Sequence, residues 1–438
     1  MADAITDSNL ADPAPDTATT ASRAGRQSPR VVLHIGEPKT GTTFLQQVMW
    51  RNRPALAGQN VVLPGHHPQD HFRASQDLRE IQKLASDPAG SWTGEWDILA
   101  AEARQAQQAQ QVAVISHELF SAADAKQAER AVRSLQPAEV HLVITIRDMA
   151  SLLPAEWQET VKHRNSRGWD DWLADVIDRE SVSADRRQWW FWRVHDTLAI
   201  LDLWSRHLPA ENVHVITVPP ATKGTGQLWE RFASLLGVEP GIVDLSRARA
   251  NTSLGMPEIE FLRRVNEQLP DEVPDWFYMW NVKEALAHQT LAAHPASGRL
   301  VLPADRYGWA DANADALISG LRKSGYDVIG DLDELLPRVA NEPGVRPAEQ
   351  PAEQVLEVAV ESAAALIVHQ YRKEFPAAQP EAGHGRRGGL AARVESTVAA
   401  SPRLKRTVRE LSSRHASVRQ LRILAWRALE RTRARKHS

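Results

Sequence analysis

Residues 31–50 read VVLHIGEPKTGTTFLQQVMW: an apolar run ends at Gly36, and a short polar loop leads into a helical pattern. Lys39 brings a full positive charge and Thr40, Thr42 and Thr43 bring hydroxyl donors, while Gly41 lets the backbone turn close against a ligand. If a helix starts at Thr42, its unpaired amides point at the same spot, and the combined chemistry is a cradle for a phosphate-like anion. The loop is not a Walker motif. Gly36 and Gly41 are five positions apart, but Thr42 stands where that motif has lysine, and the lysine comes before the second glycine. Nor does VHLVITIRD lead straight from a strand into a magnesium-binding aspartate, because Arg147 comes first.

A second group with chemical capacity is His117-Glu118, within VAVISHELF. A histidine with an ordinary pKa near 6.5 can remove a proton at neutral pH. Neighbours on an extended segment point to opposite sides, so one of the two faces any substrate. His117 is the preferred base by position, with Glu118 as its orienter, a binder of the acceptor, or the base itself. HHPQDHF (66–72) spaces His67 and His71 by four, but its proline and the missing HExxH glutamate argue for a solvent loop instead of a zinc site. The tryptophans of GWDDW and RRQWWFWRVHD have helical spacing and read first as core, second as a stacking surface; Arg186, Arg187 and Arg193 beside them fit an acidic acceptor or plain solvation.

These groups need a frame. VVLHI (31–35), NVVLP (60–64), QVAVIS (111–116), VHLVITI (140–146) and NVHVITV (212–218) are strand-length apolar runs, and helical patterns such as EWDILAAEARQAQQAQQ lie between them. Continuous β-branched runs alternating with helices predict a doubly wound α/β fold around a parallel sheet covered on both faces. Residues 257–336 read as helical, completing one domain that spans 30–340. A Pro-rich linker and a helix follow in 341–400, and residues 401–438 form a basic amphipathic helical tail. No internal repeat is evident.

The chain has 438 residues and no cysteine, which excludes disulfides, thiolate nucleophiles and thiolate metal sites. Residues 1–29 lack both the basic start and the apolar stretch of a secretory signal, and their composition reads as disordered. No run reaches the roughly 18 apolar residues of a membrane span, so a soluble, cytoplasmic protein is expected. The net charge of −3 hides an asymmetry: residues 401–438 carry +10, leaving −13 for residues 1–400. No nucleic acid partner is expected; the tail fits an anionic membrane surface or a partner chain.

HIGEPKTGTT resembles the donor loop of the sulfotransferases that use 3′-phosphoadenosine 5′-phosphosulfate (PAPS), where a Pro-Lys-Thr/Ser-Gly-Thr-Thr string binds the 5′-phosphosulfate. VHLVITIRDMASLLPAEWQE is similar to that family's strand, arginine and helix for the 3′-phosphate, and FWRVHDTLAILDLW and ANTSLG look like actinobacterial members. The resemblance covers the organisation of residues 30–335 and implies a parallel α/β sheet of P-loop nucleotide kinase-like type. It also implies PAPS as co-substrate, no metal, and sulfuryl transfer to a hydroxyl, or an amine, of a small or carbohydrate-bearing acceptor. Carried over residue by residue, Lys39, Thr40, Gly41, Thr42, Thr43, Phe44, Arg147 and Ser151 bind the nucleotide, and Lys39, His117 and Glu118 are catalytic. Two positions depart: Ala155 stands where the family has its 3′-phosphate serine, one turn beyond Ser151, and Phe44 stands where many eukaryotic members have tryptophan near the adenine. The residues alone are also compatible with a P-loop-like kinase using ATP and magnesium, or with a catalytically silent nucleotide- or anion-binding protein.

Overall fold

The structure is a computed structural model that describes residues 30–81, 92–178, 186–220, 224, 226–248, 253–293, 298–339 and 344–374. The N-terminal segment 1–29, the Gly/Arg break 381–389 and the basic tail 401–438 lie outside the described residues.

Among the described residues, six parallel strands form one sheet: β1 Val31–His34, β2 Val61–Val62, β3 Val112–Ser116, β4 Val140–Ile146, β5 Val213–Thr217 and β6 Asp327–Ile329. The first five fall within the expected apolar runs. All seven residues of β4 are buried, as a strand covered on both faces requires. Side chains alternate between two cores: Val31 and Leu33 pack into the cluster holding Trp96 and Trp204, whereas Val32 joins Leu45, Trp229 and Phe232 on the other face.

β6 interrupts the helical pattern expected over residues 257–336. It is three residues long and partly exposed, so it has no apolar run to announce it. It exists because β5 offers an edge to pair with, helped by a 2.7 Å contact between His214 Nδ1 and Asp327 Oδ2.

The strand order is β2-β3-β1-β4-β5-β6. From β1 the chain moves out to β2, returns to β3, and then crosses to β4 on the other side. The order therefore reverses at β1, and in open α/β sheets the crevice at the carboxyl end of such a switch point is where ligands bind.

The rest of the core is helical. A third cluster gathers Trp157, Trp169, Trp172, Phe191, Ile259 and Leu262. The helices Met256–Gln268 and Tyr307–Ser324 form as expected, but Met279–Thr290 winds as a π-helix. After Gly344 the chain stays against this body: the Val345 amide donates to the Arg299 carbonyl at 3.0 Å, and Val355 and Val358 of the helix Ala352–Glu374 are buried. No helix among the described residues is long and apolar enough to cross a membrane.

Candidate active site

Three segments picked out by their residue types follow three neighbouring strands. The loop 35–41 leaves β1, His117-Glu118 leaves β3 on one side, and Arg147 leaves β4 on the other. Parallel pairing puts all three at the same end of the sheet.

The loop holds three residues in the left-handed region, Gly36 at φ 53°, Lys39 at φ 62° and Gly41 at φ 84°. A Cβ on Gly41 would lie 2.4 Å from Leu228 Cδ2, and one on Gly36 would lie 2.5 Å from Thr42 Cγ2 and 3.3 Å from Glu118 Cα. Glycine is therefore required at both places. Gly41 caps the helix Thr42–Arg51 without a side-chain hydrogen bond, and the first turn has no acidic residue, so its amides stay open to an anion.

The threonines divide their work. The Thr40 hydroxyl donates to the Glu37 carbonyl at 2.6 Å and meets Thr145 Oγ1 at 2.7 Å. Thr145 Oγ1 also meets His34 Nε2 at 3.3 Å, and His34 Nδ1 meets Ser116 Oγ at 2.8 Å. This chain runs across β3, β1 and β4 under the loop, and it commits the Thr40 hydroxyl to scaffolding. Burial pushes His34 down to about 4, so its imidazole is neutral in this network. Thr42 is buried, Thr43 is half-buried, and Phe44 packs against the core cluster of Leu45 and Leu228.

A second anchor holds Glu37. Its Oε1 accepts from Thr197 Oγ1 at 2.6 Å and its Oε2 lies 3.6 Å from His195 Nδ1; His195 Nε2 lies 3.7 Å from Glu156 Oε2. Burial works against charge on His195, but Glu156 and Glu37 outweigh it and raise the imidazole to about 9.

Lys39 Nζ is 2.6 Å from Glu159 Oε2, on the helix Met149–Lys162. The same carboxylate lies 3.0 Å from Lys283 Nζ and 3.9 Å from Lys162 Nζ. Burial works to raise the Glu159 carboxyl, yet Lys39, Lys283 and Lys162 hold it well below the usual range. Ser151, Ala155, Glu159 and Lys162 share one stripe of this helix by their spacing. Ser151 and Glu159 are thus about 12 Å apart along the axis, which links the Arg147 end of the site to Lys39.

Arg147 is a quarter exposed, with Nε 4.0 Å from Asp148 Oδ2. Burial lowers its guanidinium below the ordinary value, Asp148 opposes that, and Arg299 adds a like charge. Asp148 caps the helix by accepting from the Ser151 amide at 2.8 Å. Ala155, one turn on, offers no hydroxyl.

His117 and Glu118 are brought to the loop, but unequally. The His117 ring is packed by Phe72 and Phe120, and its Nδ1 accepts from the Leu119 amide at 3.2 Å. Burial lowers its pKa, with Glu118 pulling the other way. The Glu118 side chain is 24% exposed, against 11% for His117. Glu118 Oε2 accepts from Gln46 Nε2 at 3.0 Å. Burial works to raise its carboxyl, and hydrogen bonds from its own backbone and from Gln46 work to lower it by favouring the charged form.

His67 and His71 do not form a solvent loop. His67 caps the helix Pro68–Leu78, and buried His71 meets Pro64 O at 2.9 Å and the Ser116 backbone N at 3.1 Å. Among the described residues no group of three or more His, Asp or Glu is arranged to hold a metal ion. Trp169 and Trp172 stack in the core, and among the described residues the exposed tryptophans are Trp276 and Trp280.

Sequence reasoning missed Glu159, Lys162, Lys283, Gln46, Thr145 and Arg299. The stripe running from Ser151 through Ala155 was a signal for Glu159 and Lys162. Lys283 had none, being more than a hundred residues away in the chain.

Together these features place a lysine-bearing, glycine-turned loop and an uncapped helix start at the switch point of a parallel α/β sheet. No family model matches the chain, and no curated protein matches it. Among solved structures, a sulfotransferase from Alicyclobacillus acidocaldarius aligns over 60% of this chain and 98% of its own at 17% identity, with a TM-score of 0.33. A superposition of that quality leaves the assignment to the residues of the site.

Proposed function

We propose that this chain is a sulfotransferase that moves the sulfuryl group of PAPS to a hydroxyl, or an amine, of a small or carbohydrate-bearing acceptor. The observation that carries the reading is the convergence of the Lys39 loop, Glu118 and Arg147 at the ends of adjacent strands β1, β3 and β4. Lys39 and the open amides from Gly41 to Thr43 receive the phosphosulfate. Arg147, with Ser151 and Arg299 nearby, receives the 3′-phosphate.

In the transfer, the acceptor oxygen attacks sulfur in line, the bond from sulfur to the 5′-phosphate oxygen breaks, and the electron pair leaves on the nucleotide phosphate. Lys39 and the amides stabilise the charge that develops there. The acceptor proton goes to Glu118. With His117 Nδ1 accepting from Leu119, the neutral ring carries its proton on Nε2 and has no free lone pair to offer. Glu118 is ionised and more open, so His117 becomes a positioning residue. Glu159 is a poorer base, because three ammonium groups stabilise its charge.

The test is calorimetry with adenosine 3′,5′-bisphosphate, followed by transfer of labelled sulfuryl from PAPS to an acceptor panel. Binding without added metal and labelled product are expected. Preference for ATP with magnesium would move the chain to the kinases, and tight binding with no transfer to any acceptor would make it a silent nucleotide binder.

A further inference from the structure

Beyond the donor loop, an excess of positive charge surrounds a single carboxylate. Glu159 serves Lys39 at 2.6 Å, Lys283 at 3.0 Å and Lys162 at 3.9 Å. Lys39 is assigned to the donor, so the one carboxylate faces the other two ammonium groups and one charge is left over, while the Lys162 side chain is only 9% exposed. Holding unmatched ammonium groups out of water is costly, and a second anion relieves that cost.

Among the described residues, the surroundings do not supply that anion. His163 is a neutral acceptor here: its Nδ1 donates to the Glu159 carbonyl at 2.9 Å and its Nε2 accepts from Lys283 Nζ at 2.6 Å. Burial lowers Lys162, and Lys39 and Lys283 add to the effect against Glu159. Burial lowers His288 too, with Lys162 and Lys283 adding. Glu284 accepts from Gln289 at 3.1 Å, and Glu156 is turned toward His195. The winding points the same way, since Lys283 sits in the π-helix Met279–Thr290 and π segments occur frequently at functional sites.

We propose that Lys162 and Lys283 form a second anion subsite beside Lys39, which holds a carboxylate, phosphate or sulfate group on the acceptor. The acceptor class is then an acidic alcohol or amine. The inference rests on the sulfotransferase reading, because Lys39 is assigned there to the donor.

The probe is labelled inorganic phosphate in equilibrium dialysis against protein saturated with PAPS, which fills both donor anion positions. The wild type should retain one phosphate, and Lys283→Gln and Lys162→Gln should each weaken retention at least tenfold while PAPS affinity stays within about twofold. Failure of the wild type to bind PAPS would remove the sulfotransferase reading and this inference with it. Bound PAPS without retained phosphate, or retention unchanged in both variants, would overturn the subsite alone. A tenfold loss of PAPS affinity in Lys283→Gln would place that lysine in the donor site, which also overturns it.

Discussion

Lys39 is clamped by Glu159 at 2.6 Å, so a nucleotide must compete with a carboxylate for its ammonium group. Charge-assisted hydrogen bonds contribute about 1.5–3 kcal/mol, so Lys39→Ala should weaken PAPS binding roughly 10- to 100-fold, as calorimetry would read. The base can be tested the same way. Glu118→Gln keeps the shape and the Gln46 neighbour but cannot take a proton, and kcat should fall by about 10²–10⁴ with PAPS affinity unchanged. His117→Asn should cost kcat less than about tenfold if His117 only positions its neighbour. The reverse ranking in steady-state kinetics would return the base to His117. Legibility at this scale was uneven. Lys39, Gly41 and Arg147 stood out because their types are unusual at a strand end, whereas Gln46 and Glu159 are ordinary helix residues until the fold aims them.

Among the elements, the loop is held by what lies beneath it. Thr145→Val keeps the volume but removes the hydroxyl shared by Thr40 and His34. It leaves buried polar groups short of a partner, which costs about 1–3 kcal/mol and should appear as a lower denaturant midpoint at unchanged slope. Gly41→Ala meets both a left-handed backbone and the Leu228 side chain. Its backbone strain alone is of order 1–3 kcal/mol, and the variant should lose PAPS binding together with thermal stability. The strands β1, β3, β4 and β5 could be read in advance because a fully buried strand writes itself as a continuous apolar run, and half-buried β2 because its two valines sit in a short apolar run. β6 could not, since its pairing depends on a neighbour supplied from elsewhere in the chain.

For the whole molecule, buried histidines set the pH range of stability. An unfolded histidine titrates near 6.5. His34 and His71 are pushed down to about 4 by burial, so between these values the unfolded chain binds more protons and stability falls as pH drops from 6.5 toward 4. Each shift corresponds to roughly 3 kcal/mol at most. His195, raised to about 9 between Glu156 and Glu37, acts oppositely: its contribution is whole below 6.5 and is lost as pH rises through 9. Denaturant midpoints from pH 4 to 9 should therefore fall on both sides of a maximum near neutrality, and His195→Gln should flatten the alkaline limb.

The amino-acid sequence alone determined the α/β class, five of the six strands among the described residues, and the place of the Lys39 loop at the end of β1. These rest on local facts: apolar periodicity, glycine placement, and charge beside a helix start. Tertiary structure alone decided that β1 is the switch point, that Thr40 serves the scaffold, that Glu118 is more open than His117, and that Glu159 draws in lysines from two distant segments. Those outcomes depend on which strands become neighbours and which way helices face. Such long-range geometry is set by burial summed over the whole core, and no short window of residues contains it.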